Sequence, residues 1–185
     1  MKRLHLTRGF CIEGDDEDIW AQGHESMLYR MKFEQCVLDG PFLKHALRCC
    51  KNLGELFLSL LDRFPSQGRY RVSIDLDMYG DALRDFGHNL VKLALSGFNS
   101  SAYAIVGKIG SLRQLERLTY LEIERQVLGG HEENKMPIAE VLPLSLECFR
   151  CCIQRHDVGL VWQEKVSELE DEMMHLIDSG RFPKL

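Results

Sequence analysis

A spaced apolar phrase recurs along this chain of 185 residues. In its strong form a leucine is followed by an apolar residue three positions later and by another two positions after that, as in Leu90-x-x-Leu93-x-Leu95. The strong copies begin at Leu28, Leu90, Leu118 and Leu146. Such a period is typical of solenoids, in which each repeat supplies one short strand and a returning helix or turn. Neighbouring repeats then stack on one continuous core.

Weaker copies of the phrase fill the gaps, starting at Met1 and Leu53. The starts then lie about 27, 25, 37, 28 and 28 residues apart, close to the roughly 20 to 29 expected except at one interval. Within the long interval, Tyr70-x-Val72-x-Ile74-x-Leu76 alternates apolar and polar residues, as a half-buried strand does. We therefore expect a further, irregular repeat that starts near residue 69.

The segment around the third copy permits a second interpretation. Near-helical spacing of apolar residues could make one long helix of residues 43–64: Leu43, Leu47, Cys50, Phe57 and Leu61. The repeat phrase instead predicts a strand after Leu53, and this is the interpretation we prefer.

Between the strands the apolar period becomes that of helices. Helical spacing is found over residues 41–51, 78–86 and 101–115. The clearest helix comes last, with one apolar stripe and a glycine, Gly180, placed to end it: Trp162, Val166, Leu169, Met173 and Leu176. These helices would bury one face against the strand layer.

Composition favours one domain over residues 1–185. The chain is 45% hydrophobic and has no evident linker. Without a long apolar run or a secretory signal, it is expected inside the cell, in the cytoplasm or nucleus, where its seven cysteines would stay reduced. Both ends lack a polar capping unit, which suggests a short gene product, a fragment of a longer array, or an arc closed by a partner.

Enzymatic and metal sites find little support in the sequence. His45 with Cys49, and Cys151-Cys152 followed by His156, resemble half of a metal site, but neither has the second pair of ligands that a zinc site requires. No nucleophile, base and electrophile can be assembled into one constellation. We therefore expect no enzyme, no metal, no cofactor and no small-molecule substrate.

The net charge of -5 argues against nucleic acid as a partner, since phosphate binding needs a concentrated cationic surface. Side chains alternate along a strand, so the positions between the inward leucines should share the opposite, concave face. From these positions we select a partner-binding set: Arg3, Arg30, Lys32, Phe57, Lys92, Tyr120, Glu122, Glu124 and Arg150. The irregular repeat should add Arg71, Ser73 and Asp75 to the same face.

Charge signs are segregated along this set. The first repeats supply Arg3, Arg30 and Lys32, the middle supplies Phe57 and Ala94, and the fifth copy supplies Tyr120, Glu122 and Glu124. A protein segment with an acidic end, an apolar centre and a basic end would complement this order. The plain alternative is that these residues are merely solvated.

The repeats resemble those of the leucine-rich-repeat superfamily. Residues 142–149, Leu-Pro-Leu-Ser-Leu-Glu-Cys-Phe, are similar to a phrase of the repeat regions of fungal F-box-type proteins, although no F-box motif is visible. The resemblance implies an α/β fold, a right-handed solenoid with parallel strands on its concave face and helices on its convex face. It also implies a protein-binding module that serves as the substrate-recognition arm of a ubiquitin ligase. The alternative is a truncated structural repeat fragment with no autonomous activity.

Overall fold

Fifteen elements are placed by the computed structural model, which describes residues 2–7, 11–12, 26–60, 72–98, 103–130, 135–152 and 160–185. The described strands are β1 Lys2–Thr7, β2 Cys11–Ile12, β3 Leu28–Glu34, β4 Val37–Leu38, β5 Glu55–Ser59, β6 Val72–Asp75, β7 Lys92–Ser96, β8 Tyr103–Val106, β9 Tyr120–Glu124 and β10 Cys148–Cys152. The described helices are α1 Gly40–Cys49, α2 Leu76–Phe86, α3 Arg125–Gly129, α4 Ile138–Val141 and α5 Leu160–Asp178.

The fold is α/β and is built on a six-stranded parallel sheet. Its strands lie in the order β1-β3-β5-β7-β9-β10, so each pairs with the next strand of the series along the chain. They begin 26, 27, 37, 28 and 28 residues apart. The predicted strand after Leu53 is confirmed by β5, and the long helix over residues 43–64 is wrong because α1 ends at Cys49.

One side of this sheet carries the hydrophobic core. Leu56, Leu93 and Leu121 are register partners on adjacent strands and are fully buried. Two positions on, a second buried line consists of Phe33, Leu58, Leu95 and Ile123. The inward positions predicted from the repeat phrase are thus confirmed in the central strands.

Two further pairs of strands lie outside the six-stranded sheet. β2 pairs with β4, and β6 pairs with β8, both in parallel. The strand predicted at residues 70–76 therefore exists, but its expected place as a repeat strand between β5 and β7 is wrong because those two strands pair directly. Ser73 and Asp75 leave the predicted face with it, and Arg71 lies outside the described residues. Asp75 instead caps α2, its Oδ1 accepting from Asp77 N at 2.9 Å.

Helices α1 and α2 begin within two residues of their predicted starts. Asp39 accepts a hydrogen bond from Phe42 N at 2.7 Å at the start of α1, and a proline occupies the first turn. The two helices pack together, and the Tyr79 hydroxyl donates to the Leu38 carbonyl. Both predicted helices are confirmed.

The third predicted helix, over residues 101–115, is wrong. Its described part is the strand β8 followed by turns. Tyr103, Ile105 and Val106 favour a strand, and Gly107 and Gly110 both adopt φ of 73°, which ends any helix there.

The C-terminal helix α5 is confirmed and packs its apolar stripe inward. Leu176 is buried, and Leu169 and Met173 are half-buried against the core, while the side chain of Trp162 lies outside the described residues. Gly180 follows with φ of 61°, the conformation expected of a helix-ending glycine. Within the described residues, neither α5 nor any other helix combines the length and the apolar character needed to cross a bilayer.

Candidate functional site

The side of the six-stranded sheet opposite the core is called the polar face here. Strand register arranges its side chains in three rows that cross the strands. The first row is Arg3, Arg30, Glu55, Lys92, Tyr120 and Cys148, the middle row is His5, Lys32, Phe57, Ala94, Glu122 and Arg150, and the last row is Thr7, Glu34, Ser59, Ser96, Glu124 and Cys152. All nine residues of the predicted binding set therefore come from these three rows.

Arg30 and Phe57 form the first organised cluster of the polar face. The Arg30 Cζ lies 4.7 Å from the centre of the Phe57 ring, within the range of a cation–π contact. Glu55 lies between two cations, with Arg30 Nη1 3.4 Å and Lys92 Nζ 3.7 Å from its carboxylate oxygens. One carboxylate is thus shared by two positive charges, so this part of the face keeps a cationic excess.

Tyr120, Glu122 and Arg150 form a second cluster. The Tyr120 hydroxyl donates to Glu122 Oε2 at 2.6 Å, and this bond to a carboxylate raises the pKa of Tyr120 above its ordinary value. Arg150 Cζ lies 5.6 Å from the ring centre, and its Nη1 is 3.7 Å from Glu122 Oε2. The Arg150 side chain remains 66% exposed. Each aromatic ring of the face is therefore accompanied by an arginine.

A third cluster occupies the β1–β3 end. Glu34 contacts Lys32, and its Oε2 lies 2.8 Å from His5 Nε2. The hydrogen bond from Lys32 and then that from His5 lower the pKa of the Glu34 carboxyl. Lys32 is consequently less available to a binding partner than its sequence position suggests, because its ammonium group already contacts the Glu34 carboxylate.

Glu124 is the one member of the predicted set that does not reach the surface of the polar face. It is only 5% exposed, and its Oε1 accepts from Gly97 N at 2.8 Å and Phe98 N at 3.2 Å. Gly97 adopts φ of 79°. The carboxylate stabilises the turn after β7, so the expectation that Glu124 offers its charge to a partner is corrected.

Charge on the polar face is segregated along the strands rather than across them. Three cations and one carboxylate lie in the first row, and two cations, a histidine and one carboxylate lie in the middle row. The last row contains no lysine or arginine, and of its two carboxylates only Glu34 reaches the surface, since Glu124 is buried. The predicted acidic end at the fifth copy is therefore wrong, since Glu122 is paired with Arg150 and Glu124 is buried.

The predicted binding set leaves out Glu55, Ala94 and the serines beside it, although alternation predicts outward positions for all of them. Glu55 stands at an outward position, but its role appears only when register places it between Arg30 and Lys92. The sequence does contain a signal for the three rows, namely the order of outward residues within each strand. A comparison of the first, second and third outward positions among the strands would have found which row contains the cations.

Among the described residues, no group of three or more histidines, cysteines and acids could hold a metal ion. His45 and Cys49 lie on α1, and His45 Nδ1 is buried without a hydrogen-bond partner. Burial raises the pKa of the Cys151 thiol to about 12, which keeps it protonated near neutrality.

The polar face is thus a network of paired charges and two aromatic rings on a rigid sheet. In comparisons with known proteins, no family model, curated protein or solved structure matches this chain.

Proposed function

We propose that the six-stranded sheet and its returning segments form a right-handed leucine-rich-repeat solenoid, with the polar face as its concave side. Support comes from the repeat phrase, from strands that begin 26 to 37 residues apart, and from the pairing of each strand with the next in the series. The short pairs β2–β4 and β6–β8 would then belong to the returning half of successive repeats.

We infer that the protein is an interaction module that binds a protein partner on the polar face. The observation that carries this proposal is the placement of two aromatic rings, Phe57 and Tyr120, each beside an arginine, on one face built from separated stretches of sequence. Aromatic and arginine anchors supply most of the energy of protein interfaces. Rings held by neighbouring side chains lose little freedom on binding, which favours affinity.

The ligase version of this function rests on the resemblance of the repeats to those of F-box-type proteins. It proposes that the bound partner is a substrate and that a ligase core is recruited elsewhere. An affinity capture from cell lysate with this chain as bait tests it, because ligase-core subunits should be recovered with the substrate. Recovery of the partner without any such subunit would contradict the ligase version and leave the binding function intact.

Substitutions on the polar face test the binding function itself. Phe57→Ala and Tyr120→Ala should each weaken capture of the partner by about 1 kcal/mol or more while the fold is retained. The double charge reversal Arg30→Glu with Lys32→Glu should reduce the association rate, and its effect should fade as salt rises.

The matched controls lie on the exposed side of α5. Glu170→Lys and Asp171→Lys change charge equally but should leave capture unchanged, since both side chains are exposed on α5, away from the strands of the polar face. Glu172 is unsuitable as a control because it is bonded to Arg125. A partner that tolerates every polar-face substitution and is lost with the α5 variants would overturn the assignment.

A further inference from the structure

A low strip runs along β7 at the centre of the polar face. Ala94 and Ser96 are its outward residues there, with Ser59 beside Ser96 on β5. Phe57 and Glu122 flank Ala94 in the middle row. Neighbouring strands are about 4.8 Å apart, so these two larger side chains stand roughly 10 Å from each other. We call this depression the notch, with Ala94, Ser96 and Ser59 as its floor.

The width of the notch matches one side chain, and its lining is apolar at the centre. The Ala94 methyl group forms the floor and the Phe57 ring forms one wall, held by the guanidinium of Arg30. An apolar side chain entering here would bury carbon against the Ala94 methyl group and the Phe57 ring, with Glu122, already paired with Arg150, on the opposite side. The serine hydroxyls beyond Ala94 could hydrogen bond to a backbone passing over them.

Cations lie on the Phe57 side of the notch and at its first-row end. Arg30 and Lys92 lie in the first row and share Glu55, while Lys32 lies in the middle row. The last row has no lysine or arginine, and its surface carboxylate is Glu34. An acidic segment would therefore follow the first and middle rows across the strands and avoid the last row.

We propose that the notch is a specificity pocket for one apolar side chain of an extended, acidic protein segment that crosses the strands. This proposal rests on the proposed function and adds the chemistry of the partner. A protein segment is favoured over single-stranded nucleic acid because a regular line of phosphates would meet Glu34, Glu55 and Glu122 among the cations. A protein segment places its carboxylates only where cations lie.

Short fluorescein-labelled peptides test the pocket by anisotropy. The probe carries one central leucine flanked by glutamates, and it is compared with the same peptide with glycine for leucine, with a lysine-flanked version, and with an oligothymidylate. We expect the leucine probe to bind at least about tenfold more tightly than the glycine peptide, since burial of a leucine is worth about 1.5–3 kcal/mol. The lysine-flanked peptide should bind more weakly than either.

Filling the notch should abolish the preference for leucine. Ala94→Leu should weaken the leucine probe by about tenfold and leave the glycine peptide unchanged. Ser73→Leu places the same leucine side chain at an exposed position on β6, outside the polar face, and should change neither affinity. A thermal melt of both variants checks that the fold is retained.

Several results would overturn the pocket. They are no binding of the leucine probe at millimolar concentration, equal binding of the leucine and glycine peptides, tighter binding of the oligothymidylate, and an Ala94→Leu variant that binds the leucine probe normally. If a captured partner is nevertheless lost with Arg30→Glu, the pocket fails while the binding function stands. If neither Arg30→Glu nor Ala94→Leu affects capture, both proposals fail.

Discussion

Glu122 and Glu124 show how far two identical residues on one strand can differ. Both point to the same side of β9, yet Glu122 bonds to Tyr120 and Arg150 at the surface, while Glu124 is buried on the backbone of the turn after β7. The alternation of side chains along a strand predicts that both lie on the polar face. It does not predict that the neighbouring strand β7 ends in a turn at Gly97. The burial of the Glu124 carboxylate follows from that turn.

Removal of the Glu124 side chain should therefore destabilise the fold. Glu124→Ala leaves two backbone N–H groups, of Gly97 and Phe98, without this acceptor, and we expect a loss of about 1–3 kcal/mol in the free energy of unfolding. Urea denaturation measures it. Glu122→Ala, the matched control, should change stability by less than about 0.5 kcal/mol. Equal losses in the two variants would contradict the buried role of Glu124.

Leu121 tests the register of the core. It is fully buried between its partners Leu93 and Phe149, so Leu121→Ala should lower the free energy of unfolding by about 2–5 kcal/mol through the cavity it leaves. The same substitution at Leu144, which is 61% exposed, serves as the control in chemical denaturation and should cost little. A small loss at Leu121 would mean that the inward and outward positions are exchanged.

At the scale of elements, α5 is attached to the rest of the fold by an ion pair to α3 as well as by its apolar stripe. Arg125, the first residue of α3, donates from Nε to Glu172 Oε2 at 2.6 Å and from Nη2 to Oε1 at 2.8 Å. The same Nη2 donates to the Met136 carbonyl at 2.9 Å. Burial alone would raise the pKa of Glu172, but the bonds from Arg125 and Lys135 outweigh it and lower the pKa. The pair fixes α5 against the turn after β9.

This pair should make part of the stability depend on pH. Because the pKa of Glu172 is lower in the folded state than its ordinary value of 4.5, its contribution is fully present above pH 4.5 and is lost as pH falls through the folded pKa. Glu172→Gln should cost about 2 kcal/mol at pH 7. The gap in melting temperature between wild type and variant should then close below pH 4.5. Asp171→Asn is the control, and a gap independent of pH would refute the ion-pair role.

The repeat phrase predicts strands together with their order in the sheet, whereas apolar spacing alone predicts α1, α2 and α5 correctly and the segment from Tyr103 wrongly. Leu90-x-x-Leu93-x-Leu95 marks β7 because inward leucines must recur wherever the sheet is buried on one side. The helix predicted over residues 101–115 is wrong because apolar residues three or four apart also occur by chance in a strand that is followed by glycine turns. β6 was found as a strand but misplaced, since alternation does not say which sheet a strand joins. The polar face was predictable from alternation, whereas its ion pairs required the register.

At the scale of the whole molecule, burial across the six-stranded sheet is uneven. The central strands bury both of their inward positions, whereas in β1 Leu4 is half-buried and Leu6 is 39% exposed. In a stacked fold the strands with neighbours on both sides hold the most cooperative part of the structure. The free energy of local opening should therefore rise from β1 toward β7.

Amide hydrogen exchange followed by mass spectrometry measures this gradient. Peptides that contain β5, β7 and β9 should exchange slowest, and the peptide that contains β1 should exchange fastest among the six strands. The solvent-exposed end of α5 provides an internal reference for fast exchange. If β1 were as protected as β7, the uneven burial would not control local opening.

The direction of the charge gradient on the polar face separates two properties of the proposed solenoid. Charge changes along the strands, from the first row to the last, while repeats are added across them. Under the proposed function, contact length and partner orientation would therefore be independent: duplication or loss of a whole repeat would change the number of partner residues in contact without reversing the direction of the partner's backbone. Such a surface could be lengthened by recombination in a single step and still recognise the same ligand polarity.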